Sequence, residues 1–161
     1  MTYLLDADVF IQAKNRHYGF DFCPGFWDWV DTAHATGTVV SIDRVRVELL
    51  GVADELSEWA RARPESFFPE PDAAVIPSLR TTSLWANSGE YEPSAVATFL
   101  GAADFYLVAH AHAHQKTVVT HEVVSSSVRK IKIPDACIAL GVRCVTPFAM
   151  SRAEGARLVL G

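Results

Sequence analysis

The sequence predicts an α/β fold, with a central parallel sheet flanked by helices. Two observations predict it. Short runs of strand length are apolar throughout, as at Tyr3–Leu5 and Val118–Val119, and segments with helical spacing separate them. Strands without a polar face belong to sheets covered on both sides, and strand–helix alternation joins such strands in parallel. A length of 161 residues fits one domain over 1–161, and 50% hydrophobic residues can fill its core without staples.

Each element has its own reason. Tyr3 to Asp6 is a strand, apolar and then suddenly acidic, and Val9 to Lys14 starts a helix. His17 to Gly25 is an aromatic loop. Phe26 to Ala35 carries Phe26, Trp27, Val30 and Ala33 on one helical face, and Gly37 stops it. Val39 to Ile42 is the second strand. Asp43 serves as N-cap of a helix through Leu50, after which either Gly51 or a continuation into Glu55–Arg61 follows. Pro64, Pro69, Pro71 and Pro77 break the middle of the chain, which reads as loop with a short helix. A helical run begins near Ala95, Gly101 interrupts it, and a strong helix covers Ala102 to His114. Lys116 to Thr120 is the third strand. Pro134 opens a helix through Leu140 that Gly141 ends. Val142 to Val145 is the fourth strand, and a last helix follows Pro147.

Composition narrows the function. The longest apolar stretches are broken by charge, as in Val45-Arg46-Val47-Glu48, so no membrane span is expected. The first residues lack a basic region and a small-residue cleavage site, so no signal peptide is expected and a cytoplasmic location follows. Cys23, Cys137 and Cys144 are odd in number and widely spaced, which fits reduced thiols. A net charge of −5 argues against broad duplex binding, although Arg129, Lys130 and Lys132 cluster late in the chain. They can grip phosphates or form a solvated turn.

In open α/β sheets, ligands bind outside the carboxyl ends of the strands. Carboxylates recur there. Asp6 ends the first strand, with Asp8 two residues on; Glu48 lies in the helix after the second strand; Asp104 opens the helix leading into the third; Glu122 lies just past it. Each has a plainer role: Asp6 or Asp8 as a cap, Glu48 in an ion pair with Arg44, Asp104 as a first-turn acid, Glu122 as a solvated loop acid. The apolar flanks of Asp6 and Asp104 favour a site, because an acid in apolar surroundings needs a partner or a metal. Converging carboxylates hold Mg²⁺ or Mn²⁺, directly or through water, and such ions activate water and relieve charge in phosphodiester hydrolysis. Without metal, crowded acids raise one another's pKa.

Leu4-Leu5-Asp6-Ala7-Asp8-Val9-Phe10-Ile11 resembles the opening strand of PIN-domain proteins. Val47-Glu48-Leu49 resembles their helix glutamate, the run from Ala103 to Ala111 their third acidic motif, and Val118-Val119-Thr120-His121-Glu122 the following strand and its fourth acid. Glu122 departs from the Asp common at that place. The stretch from Lys130 to Cys137 and the aromatic start through Phe26-Trp27 are similar to a bacterial PIN-like branch that includes toxins of the VapC type. The resemblance spans almost the whole chain. It implies a PIN-like three-layer sandwich and a Mg²⁺- or Mn²⁺-dependent endoribonuclease, the toxin of a toxin–antitoxin pair. Asp6, Glu48, Asp104 and Glu122 would be catalytic metal ligands, with Asp8 beside them. RNA would be the substrate, with Arg129, Lys130 and Lys132 as candidate contacts to it. A cognate antitoxin and a second copy of the chain would be partners. Asp135 is a weaker candidate, equally explained as a helix-start acid.

Other features compete. His110 and His114 share a helix face and His112 points away, so the three read as polar-face residues and not a zinc site. His121 stands near the acids and can contact a phosphate. Phe20, Phe22, Phe26, Trp27 and Trp29 suit core packing or an interface better than base stacking. Two alternative functions stay open. One is a PIN-like module that binds without cutting. The other is a phosphotransferase of the haloacid-dehalogenase type, which also starts with Asp-x-Asp but has Thr or Val where this chain has Phe10.

Overall fold

The computed structural model describes residues 1–160; Gly161, the last residue of the predicted domain, lies outside them. Four strands, β1 (Tyr3–Leu5), β2 (Val39–Val40), β3 (Thr117–Val119) and β4 (Cys144–Val145), form one sheet in the order β2-β1-β3-β4. All three pairings are parallel, with Leu4 opposite both Val40 and Val118. Helices flank the sheet, as the apolar strands require. β1 and β3 are buried along their whole length and seed a continuous core that includes Phe10, Trp27, Phe67 and Leu107.

The strand order places the site. The chain leaves β1 for a neighbour on one side, then returns to the other side of β1 as β3. A crevice therefore opens between the carboxyl ends of β1 and β3, where the connections part in opposite directions.

Helix α1 (Ala7–Gln12) follows β1 directly and widens into a π-helical turn over Ala13–His17. Helix α2 (Pro24–Ala35) starts with proline at a position whose N–H has no helical partner. Its Trp27 indole donates to the Tyr18 carbonyl at 2.8 Å, and Phe20 stacks on the same ring. Phe26 and Trp27 are thus core residues, while Phe22 is exposed. Helix α3 (Asp43–Leu50) departs from expectation by one residue: Ile42 is the N-cap and Asp43 is the first helical residue. No Arg44–Glu48 ion pair forms among the described residues, because the Arg44 guanidinium lies 4.0 Å over the Tyr106 ring. Helix α4 (Glu55–Arg61) is capped by Asp54, which accepts from the Ser57 N–H and pairs with Lys14 at 2.9 Å.

The middle of the chain corrects the prediction of mostly loop. Helix α5 (Val75–Ser88) runs 14 residues and holds Pro77 at its third position. A proline there removes an N–H that no preceding turn would have accepted, so the helix starts undisturbed. Helices α6 (Pro93–Leu100) and α7 (Ala103–His114) meet at 69° across Gly101. Among the described residues, no single helix is long and apolar enough to cross a membrane. Helix α8 (Ile133–Leu140) ends at Gly141, whose φ of +69° is left-handed, and helix α9 (Pro147–Ala153) is capped by Thr146.

The histidines of α7 also correct the prediction of a polar face. His110 is buried, and its Nε2 has no hydrogen-bond partner. His112 bonds to Ser78 of α5 at 2.7 Å, and His114 pairs with Asp72 at 2.9 Å. These contacts dock α7 against α5 and its approach. The three thiols are free, as expected.

Candidate active site

Five acids and two bases that are remote in sequence line one pocket of about 410 Å³: Asp6, Asp8, Glu48, Asp104 and Glu122, with Lys130 and Lys132. Ala7 and Ile11 complete its wall. The pocket lies in the crevice between β1 and β3.

Asp6 is the first residue beyond β1 and is buried. Its N–H still donates to Val119 at 3.0 Å, so the strand ladder fixes its backbone. Its extended backbone makes it the N-cap of α1, yet its side chain makes no capping bond and is left for the pocket. Asp8 is two residues on, in the first turn of α1, with the Gln12 amide 3.4 Å from it. Asp104 sits in the first turn of α7, where the helix dipole favours an acid. Glu48 reaches in from α3. Glu122 lies past β3; its carboxylate accepts from the Ile133 N–H at 3.2 Å and has Lys132 and Lys130 at 3.6 and 3.8 Å.

The electrostatics follow from crowding. Burial, then the Asp104 charge, push the Asp6 carboxyl up to about 7, against the pull of a hydrogen bond from Thr120. Burial, then the charges of Glu122 and Glu48, raise Asp104 to about 6. Loss of solvent also raises Glu48, partly offset by the Ala103 N–H. Two lysines do not balance five carboxylates, so the pocket has an unmet demand for positive charge.

The donor chemistry fits a hard divalent cation, since every candidate ligand is a carboxylate oxygen. Among the described residues, no three His, Cys, Asp or Glu side chains meet closely enough to share an ion directly. Mg²⁺ keeps several of its own waters, and ligation through water suits that spacing. The acids that would hold it are those of the pocket.

Two residues that position the site were not singled out by sequence. Thr120 donates to the Asp6 carboxylate at 2.9 Å and accepts from the Glu122 N–H at 3.1 Å. Ser41 donates to the Leu5 carbonyl at 2.7 Å and steadies the end of β1. Both are lone hydroxyls closing apolar strand runs, which was the available signal. Arg129, by contrast, is not part of the acidic pocket; its side chain is 85% exposed and 3.9 Å from Glu92. Asp135 holds the Ser125 N–H at 3.1 Å and so ties down the loop after β3. His121 packs against His17 and Phe148, with ring centroids 5.5 and 5.7 Å away.

The architecture is shared with known structures. A chain in the crystal structure of VapBC2 from Rickettsia felis, bound to a DNA fragment from their promoter, superposes with a TM-score of 0.57 and 14% identity, over 91% of this chain and 98% of that one. A chain of FitAcB from Neisseria gonorrhoeae gives 0.56 and 18% identity, over 91% and 99%. At such identities the likeness concerns the fold. No curated protein matches by sequence. Residues 3–158 match the family model described as a domain of unknown function, DUF4411, and the chain belongs to that family.

Proposed function

We propose that this protein is a divalent-metal-dependent endoribonuclease, the toxin of a toxin–antitoxin pair. The observation that carries the reading is the meeting of Asp6, Asp8, Glu48, Asp104 and Glu122 in one pocket, with the carboxyls of Asp6 and Asp104 raised. The fold shared with the VapBC2 and FitAcB structures supports it, as does the PIN-like order of the acids.

A bound Mg²⁺ or Mn²⁺ would supply an activated water and offset charge building on the phosphate. The chain's own residues supply the rest. Asp6 is held by Thr120 and the strand ladder, so its oxygens do not reorganise during reaction. Asp104, Glu48 and Asp8 surround it as further oxygen donors. Lys130 and Lys132 neutralise Glu122 and stand where an RNA phosphate would enter. A cognate antitoxin would silence the enzyme, and a second copy of the chain would complete the assembly.

The test is cleavage of RNA in Mn²⁺ together with calorimetry of Mn²⁺ binding. Wild type should bind the ion and cut. Asp6→Asn and Asp104→Asn should stay folded and lose cleavage, and Glu48→Gln should bind Mn²⁺ more weakly. Full activity in both Asn variants refutes the carboxylate mechanism. The contacts that occupy the Glu122 carboxylate favour a second reading, a PIN-like module that binds without cutting. Absence of binding heat in wild type would support it.

A further inference from the structure

A second, smaller pocket adjoins the acidic one. It has a volume of about 180 Å³ and shares Asp104 and Lys130 with the carboxylate site. Its other walls are of a different character. Phe99, Ala102 and Ile131 make it apolar, Thr98 offers a hydroxyl, and Arg129 lies against it. Ligand sites are concave and mostly apolar with a few polar groups for orientation.

We infer that this pocket seats one unpaired nucleobase of the RNA, beside the phosphodiester at the acidic pocket. The inference rests on the nuclease reading and specifies its substrate as single-stranded. Asp104 and Lys130 line both pockets, so a chain whose phosphate occupies the acidic pocket has the cavity walled by Phe99 and Ile131 directly beside it for the adjoining base. The cavity admits one ring system and not a base pair. Lys130 and Arg129 are exposed cations with long apolar stems, able to cover a flat ring while their charges meet the backbone. Arg129 thereby gains a role that the acidic pocket does not give it.

The experiment measures affinity apart from cleavage. A short fluorescein-labelled single-stranded oligoribonucleotide is titrated by anisotropy with Ca²⁺ in place of Mg²⁺, Ca²⁺ being a hard cation that takes the same oxygen ligands in looser geometry. An abasic residue is walked through the oligonucleotide. Loss of one base should weaken binding about tenfold at a single register, the worth of a seated base, and other positions should matter little. Annealing the complementary strand should remove binding. Thr98→Trp fills the pocket from the exposed side of α6 and should erase the abasic effect, while Ala97→Trp, outside the pocket, should keep it. Uniform abasic affinities, unchanged duplex binding, no RNA binding at all, or a wild-type profile in Thr98→Trp would each overturn the subsite. Cleavage in Mn²⁺ is scored on the same substrates. Cleavage without the abasic signature overturns the subsite alone. The signature without cleavage overturns the nuclease and leaves the subsite standing.

Discussion

Thr120 donates its hydroxyl to the Asp6 carboxylate at 2.9 Å, although 114 residues separate them. The bond joins the ends of β1 and β3, the two strands that open the crevice. It also opposes the burial that raises Asp6, since a hydrogen bond to the charged form favours that form.

Removing that bond should therefore shift activity along the pH axis. In Thr120→Val, Asp6 loses its donor and rises further above about 7. The acid limb of the cleavage profile should move to higher pH by about one unit, the worth of a hydrogen bond to a charged group. Thr120→Ser restores the hydroxyl and should restore the limb. An unmoved limb in the valine variant would show that Asp6 does not govern it.

The same crowding predicts a conflict between stability and function. In the metal-free protein, the Asp6 carboxyl titrates at about 7, well above its ordinary value of 3.8. Between these values the folded state holds a proton that the unfolded chain has released. This contribution is fully present below the unfolded pKa and is lost as pH rises through the folded one. Asp6→Asn should then be inactive yet more stable than wild type at about pH 8, by on the order of 2 to 4 kcal/mol. The gap should close by about pH 4, as urea unfolding in chelator would measure. A variant less stable than wild type at the higher pH contradicts the account.

His110 contributes in the opposite direction. Burial lowers its pKa, against weaker pulls from Asp43 and Asp72, and its Nε2 has no partner. A histidine held neutral in the fold but free to protonate when unfolded costs stability as pH falls through its unfolded value of about 6.5. His110→Leu cannot titrate, so its stability should fall less than that of wild type between about pH 7 and 5. Parallel curves for the two proteins would mean that His110 is not the titrating group. RNA cleavage should be unaffected, because the residue does not line the acidic pocket.

Much of the fold was legible because strand and helix signals here are local. Leu4 and Val118 lie in runs too apolar for anything but a buried strand, and Pro134 and Gly141 bracket α8 with the geometry each residue prefers. Helix α5 was not legible: Pro77, like the prolines before it, looked like a breaker, and only the structure shows that it falls within a first turn. The site was half legible. Apolar flanks marked Asp6 and Asp104, but the same flanks could not tell His110 in the core from His112 against Ser78.

By itself the sequence determined most of the element types outside α5, the parallel sheet and the identity of the acids, since these depend on short-range pattern and side-chain chemistry. The tertiary structure decided which acids meet, that Thr120 and Ser41 brace them, and that Arg129 belongs to a neighbouring pocket. The reason is physical. A pKa or a pocket arises from charges and walls brought together through space, and the strand order β2-β1-β3-β4, which no local pattern encodes, sets those distances.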